Sequence, residues 1–245
     1  MTAAIWQWLI TPWSGAGDHL VPDWLAWHAR CMVLAWGVLL PMGVVVARYY
    51  KIVPSQDWPR VLDHKAWWIT HRLTQYIGVA LMLVGVSLSW NQQLNSSPLR
   101  LASIHTYAGW VLVTAGIFQV LGGLLRGSKG GPTDQQLRGD HYDMTTRRKW
   151  FEYLHKTVGW SCMVLSVVVI VLGLSMADAP KWMWLTLALW WTALLGWAVY
   201  LQSQRRSVDT YQAIWGPDVQ HPGNALVPIG WGIHRRTASL DRDKR

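Results

Sequence analysis

The chain has 245 residues, is 51% hydrophobic and only 14% charged, and carries a formal charge of +9. That balance excludes an ordinary soluble domain, and two cysteines in apolar surroundings exclude a disulfide framework or a C-x-x-C site. Twenty tryptophans against two phenylalanines point to a membrane–water boundary, where an indole sits half wet.

Residues 1–23 hold a short apolar patch, IWQWLI, followed by turn formers. The patch is too short to span, and no basic segment precedes it as in a cleaved signal. It is expected to lie along the membrane surface. A first span is predicted over about 24–47, with Pro41 expected to kink it or loosen its second half. A polar loop at 48–65 leads to a second span over about 66–90, whose opening AWWITHRLTQY is too polar to face lipid. A short turn precedes a third span over about 101–125, and a basic loop follows at 126–149. The fourth span, about 150–174, reads WFEYLHKTVGWSCMVLSVVVIVLGL. A tight connection leads to a Trp-rich fifth span over about 181–201. Residues 202–245 show no apolar periodicity that would build a core and read as a soluble tail. The expected architecture is all-α and integral to the membrane. Five helices cross, the first four forming a four-helix bundle. The expected divisions are an external segment 1–23, a membrane domain 24–201 and a cytoplasmic tail 202–245.

Lys and Arg counts orient the spans. The 48–65 loop has four, the 126–149 loop six and the tail seven, whereas the opposite connections contain only Arg100 and Lys181. By the positive-inside rule the basic side is the cytoplasm, so the N-terminus lies outside and the C-terminus inside a cell membrane crossed many times. This distribution accounts for most of the net charge and argues against nucleic acid as a partner.

Four spans each carry one histidine near the start: His28, His71, His105 and His155. Ionisable groups within a bilayer are costly and are read as functional. Antiparallel neighbours put His28 and His105 at one depth near the outer face, and His71 and His155 at one depth near the inner face. In a bundle wound in sequence order each pair is diagonal. Two facing imidazoles hold the iron of a b haem without covalent attachment, and the two irons would lie roughly 20 Å apart. Without a nearby carboxylate or thiolate, two histidines per level fall short of a zinc or copper shell. Gly109 and Gly159 follow His105 and His155 by one turn, and Gly78 follows His71 by two, so a flat ligand could lie close to the backbone. Gly43, Gly85, Gly122 or Gly123, and Gly173 recur 14 to 18 residues after each histidine, at the depth of the opposite site. Small-residue helix packing competes as the reason for the glycines. His64 precedes His71 by two turns and could be a decoy or an interfacial group. Solvated or capping roles are expected for His64, His19, His141, His221 and His234, and a small-core role for Cys31 and Cys162.

At these residues the chain resembles the cytochrome b561 family, in the form of the membrane core also found fused to DOMON domains. The similarity covers about residues 24–201 and is carried by HARCMVLAWGVLLPMGVVVARYYK, LASIHTYAGWVLVTAGIFQVLGGLLR and FEYLHKTVGW. It implies two b-type haems (iron), with His28 and His105 ligating one and His71 and His155 the other. It also implies an oxidoreductase that transfers electrons across the membrane. Arg72 and Lys156, each beside a ligand histidine, are candidates for pairing with propionates of the inner haem, or else they snorkel to the interface. No residue is assigned a catalytic role. No DOMON domain is expected ahead of the core, the tail has no counterpart in the family, and no ascorbate site is recognisable. Membrane lipid and one redox partner on each side are the expected partners. Quinol is one candidate among them, and homodimerisation is left open. Two other functions compete: a haem-bearing anchor subunit linking a dehydrogenase to the quinone pool, and a haem-free transporter or structural bundle.

Overall fold

A computed structural model describes residues 2–16, 21–93, 100–128 and 139–236. The elements are α1 (Thr2–Ile10), α2 (Asp23–Tyr49), α3 (Ala66–Gln93), α4 (Arg100–Leu124), α5 (Asp140–Asp143), α6 (Thr146–Met176), α7 (Lys181–Ser203) and α8 (Thr210–Trp215). No β-strand forms among the described residues beyond two isolated bridges, Pro12 with Pro180 and Val208 with His234. Five helices, α2, α3, α4, α6 and α7, are long and apolar enough to cross a membrane. The shortest has 23 residues, about 34 Å at 1.5 Å each, against a hydrocarbon core of about 30 Å. Their outward residues are apolar yet uncovered, among them Val111, Val164, Leu189 and Leu195, as a helix facing lipid requires. The chain is a multi-pass membrane protein.

The chain divides into two compact units. The first takes residues 1–41, 74–117 and 161–196. Its core includes Cys31, Ala35, Trp36, Leu40, Met82, Leu112, Cys162 and Ile170. Bare glycine faces bring its helices together: a Cβ on Gly78 would stand 2.8 Å from Leu40 Cδ2, and one on Gly116 3.3 Å from Met82 Sδ. Gly78, expected to line a ligand face, is thus a packing glycine.

Pro41 acts upstream, where the sequence suggested a kink or a looser second half. Residues Val33–Leu39 form a π-helical segment, and α-helix resumes over Leu40–Tyr49. Proline lacks the N–H that its i−4 carbonyl would accept, and its ring crowds that carbonyl. The group concerned is the carbonyl of Gly37, which instead receives the indole N–H of Trp190 at 2.9 Å and of Trp191 at 3.2 Å.

Helix α1 leaves Ile5, Trp6 and Trp8 exposed. The chain beyond it is fastened at the α6–α7 connection: Asp178 accepts from the Ser14 N–H at 2.9 Å, Lys181 N–H donates to Thr11 O at 3.2 Å, and Trp13 packs on Trp184.

The second unit takes residues 42–73, 118–160 and 197 onward. Here the tail departs from expectation. All six residues of α8 are buried. Tyr211, Ile214 and Trp215 form one core with Trp67 and Met144, and Val208 and Ala213 form another with Ile52 and Trp58. A helix of under two turns is too short to display a periodic stripe, so its burial is set by residues distant in sequence that close around it. Polar links complete the docking. Asp209, 2% exposed, accepts two N–H groups of Arg235 at 3.1 Å, and Lys51 Nζ donates to Val208 O at 2.9 Å.

Candidate functional site

In the first unit the rings of His28 and His105 face each other with centroids 6.3 Å apart and planes inclined by 68°. His28 Nδ1 lies 2.8 Å from Gly85 O, and His105 Nδ1 lies 3.1 Å from Val169 O. A carbonyl can only accept, so each Nδ1 carries a proton and Nε2 is the nitrogen left to face a metal. A Cβ on Gly173 would stand 3.1 Å from His105 Cε1, so this glycine gives the ring its room.

In the second unit His71 and His155 have centroids 6.4 Å apart and planes inclined by 81°. His71 Nδ1 lies 3.0 Å from Gly43 O. Phe151 stacks on His155 at 5.1 Å, and Trp68 packs on His71 at 6.2 Å with the Arg126 guanidinium 3.9 Å over its own ring. Gly43, Gly85 and Gly173, which by spacing reach the opposite site's depth, each touch a histidine borne by another helix.

The residues present fit a bis-histidine haem. A metal bound by imidazole nitrogens at about 2 Å on each side separates the ring centres by about 6 Å. A Cβ on Gly109, Gly122, Gly123 or Gly159 would meet nothing within 4 Å, which leaves room for a macrocycle along those helices. A cavity of about 160 Å³ opens beside His155, lined by Phe118, Gln119, Gly122, Leu125, Phe151 and Leu154. Within that unit Gln119 Nε2 is buried with no hydrogen-bond partner, a donor at hand for a polar group in the cavity. Among the described residues no three His, Cys, Asp or Glu side chains gather as a metal shell.

Lys156 is already engaged: its Nζ lies 2.6 Å from Glu152 Oε2 and 2.7 Å from Ile229 O. Arg72 lies 5.6 Å over the Trp68 ring. Glu152, 3% exposed, also takes Arg148 Nη2 at 2.9 Å and the Tyr211 hydroxyl at 2.7 Å. This buried node sits one turn before His155. Its i, i+4 spacing through Arg148, Glu152 and Lys156 is a signal that sequence reasoning missed; nothing in the sequence flags Tyr211 or Gln119. Burial, reinforced by Glu152, pushes the Tyr211 phenol up. Burial, with Lys156 adding to it against Glu152 and Asp209, pushes Lys51 down to about 7.

The remaining histidines need correction in two places. His141 and His221 are buried instead of solvated: His141 packs on Tyr211 at 5.0 Å, and His221 stacks on Trp215 at 5.6 Å. They complete an aromatic core, although His221 Nδ1 also caps the N–H of Gly223 at 3.0 Å. Burial lowers the His221 pKa. His64 Nδ1 accepts from Ala66 N–H at 3.4 Å at the start of α3, and His234 Nε2 lies 3.2 Å from Gln202 Nε2. His19 lies outside the described residues.

The profile of eukaryotic cytochrome b561 matches residues 27–180. A cytochrome b561 and DOMON domain-containing protein of Arabidopsis thaliana is 31% identical over 70% of this chain and 36% of its own length. A cytochrome b561, DM13 and DOMON domain-containing protein of the same plant is 28% identical over 68% of this chain and 16% of its own. Human ferric-chelate reductase 1 is 26% identical over 68% of this chain and 25% of its own. The chain thus spans less than half the length of each of these relatives, from about a sixth to a little over a third. No solved structure matches.

Proposed function

The chain belongs to the cytochrome b561 family, and we propose that it carries electrons across a membrane through two b haems, one held by His28 and His105 and the other by His71 and His155. The observation that carries this reading is the pair of facing imidazoles in each unit, 6.3 and 6.4 Å apart. When bound, haem supplies one-electron redox chemistry. The protein's own part is positional. Backbone carbonyls of Gly85, Val169 and Gly43 hold Nδ1 protonated and fix the rotation of the His28, His105 and His71 rings. Apolar walls such as Phe118, Leu125 and Phe151 keep water from the second site.

The Lys and Arg of segments 48–65, 126–149 and 202–245 support a reading in which the His71–His155 site faces the cytoplasm and the His28–His105 site the outer side. The inner site would meet a cytoplasmic or quinol-side redox partner and the outer site a partner on the far side of the membrane. The name of the human relative makes a ferric chelate the first acceptor to try.

The test uses proteoliposomes of known orientation, with a membrane-impermeant reductant on the tail side. Wild type reduces the far-side haem, and His71→Ala abolishes that reduction. Far-side reduction at the wild-type rate in His71→Ala, or a haem content of one per chain, defeats the proposal.

A further inference from the structure

A second pocket lies at the end of α7, within the second unit and away from the histidines. It encloses about 300 Å³ and is lined by Tyr50, Pro54, Trp197, Tyr200, Leu201, Gln204, Arg206 and Arg236. Residues 197, 200, 201 and 204 occupy one helical face, and the span itself ends at Ser203. The pocket therefore sits where a membrane span passes from hydrocarbon to headgroups.

Its two ends differ in chemistry. At the hydrocarbon end Trp197 and Tyr200 stack at 5.4 Å with both rings about half exposed, the arrangement of an aromatic belt. Trp197 is held by its indole N–H, 3.2 Å from the Tyr50 hydroxyl. At the polar end are two guanidinium groups. Arg206 is anchored by Nη2 to Ile52 O at 2.7 Å and by Nε to Tyr49 O at 3.5 Å, and its guanidinium carbon lies 5.7 Å over the Tyr50 ring. Both of those acceptors are uncharged. Arg206 and Arg236 line the same pocket, and burial together with the neighbouring charge of Arg236 lowers the Arg206 pKa. Among the described residues that line the pocket there is no Asp or Glu.

We propose that this pocket binds the headgroup phosphate of an anionic phospholipid, with Arg206 and Arg236 on the phosphate and Trp197, Tyr200 and Leu201 along the glycerol and upper acyl chain. Guanidinium groups suit phosphate because their planar N–H forks bind it bidentately. An anion between the two arginines also relieves their mutual repulsion. The apolar half selects a lipid over free phosphate, which would leave the aromatic wall unused.

Native mass spectrometry of the purified full chain, released from a neutral detergent, tests the assignment. Phosphatidylglycerol, phosphatidylcholine and inorganic phosphate are the three probes. Wild type should retain one phosphatidylglycerol about tenfold more tightly than phosphatidylcholine, the scale of one charge-assisted contact. Arg206→Met should remove the preference. Because Arg206 also ties two backbone carbonyls, Gln204→Glu is the companion variant. Gln204 is exposed, so a carboxylate there adds repulsion without removing a packed group. It should lower phosphatidylglycerol retention by about tenfold and leave phosphatidylcholine unchanged. Equal retention of the two lipids by wild type, or an unchanged preference in Gln204→Glu, overturns the proposal. So does displacement of phosphatidylglycerol by millimolar inorganic phosphate, which would make this a free-anion site.

Discussion

Trp190 donates its indole N–H to the carbonyl of Gly37 at 2.9 Å, and that carbonyl is the one Pro41 cannot serve. The proline, the π-helical segment before it and the tryptophans of α7 form one arrangement. A carbonyl without a donor in a dry environment is destabilising by about 1–3 kcal/mol. Trp190→Phe combined with Trp191→Phe should therefore lower the thermal midpoint in detergent, each single change doing less because the other indole remains. Pro41→Ala in the double variant should recover part of the loss, since alanine brings back the N–H that Gly37 lacks. An equal loss with and without Pro41 would mean that the tryptophans act through packing alone.

A second expectation concerns Glu152, where one buried carboxylate meets Arg148, Lys156 and Tyr211. Removing one member of a buried ion pair costs about 3–5 kcal/mol because its partner stays charged. Glu152→Gln leaves Arg148, 5% exposed, in that position. Tyr211→Phe removes a neutral hydroxyl that bonds two charged groups, at about 1.5–3 kcal/mol. Limited proteolysis of the 202–236 segment should rise in both variants, and more steeply in the first. The reverse order would show that the tail is held by its aromatic core with no help from the charges.

Lys51 makes stability depend on pH. Burial holds its folded pKa near 7, against 10.5 for an ordinary lysine. Between those values the unfolded chain carries a proton that the folded chain lacks, so unfolding takes up protons and stability rises with pH. The penalty is full below about 7 and is relieved as pH climbs toward 10.5. The neutral amine still donates to Val208 O. Thermal midpoints of wild type minus those of Lys51→Met, taken between pH 7 and 10, should therefore increase with pH. A flat difference would place the Lys51 ammonium in contact with water.

These features are unequally legible in the sequence. The five spans stand out because a run of about 20 apolar residues matches the thickness of a bilayer core and exceeds what a soluble helix buries. The fourth begins earlier than hydropathy suggests, at Thr146, because Arg148 and Glu152 bury each other within the helix. Depth alone, counted along antiparallel helices, puts His28 opposite His105 and His71 opposite His155. The structure brings the same rings together. Pro41 signals an irregularity, but which side of it unwinds depends on where a replacement donor comes from, and Trp190 lies about 150 residues away. The tail core is illegible for a similar reason. The six residues of α8 are buried by groups distant in sequence, Trp67 and Met144 among them, and no local period records that.

The last expectation separates the two histidine pairs. If each pair holds a haem as proposed, removing one imidazole would leave an iron unsatisfied in a dry pocket, so each pair should fail as a unit. Haem content and the reduced spectrum are the readouts. His28→Ala and His105→Ala should lose the same spectral component, and His71→Ala and His155→Ala the other. His64→Ala should lose neither, since His64 Nδ1 faces the Ala66 N–H at the start of α3. Gly173→Ala sharpens the test. Its methyl would stand 3.1 Å from His105 Cε1, so the ring must turn away and strain its bond to Val169 O. Gly173 lies on the same helix as His155, 18 residues further on. The variant should therefore shift the component lost in His28→Ala and leave the one lost in His155→Ala untouched. A shift of the His155 component instead would mean that each helix serves only the site carrying its own histidine. The contacts of Gly43, Gly85 and Gly173 with histidines of other helices would then have no part in holding the ligands.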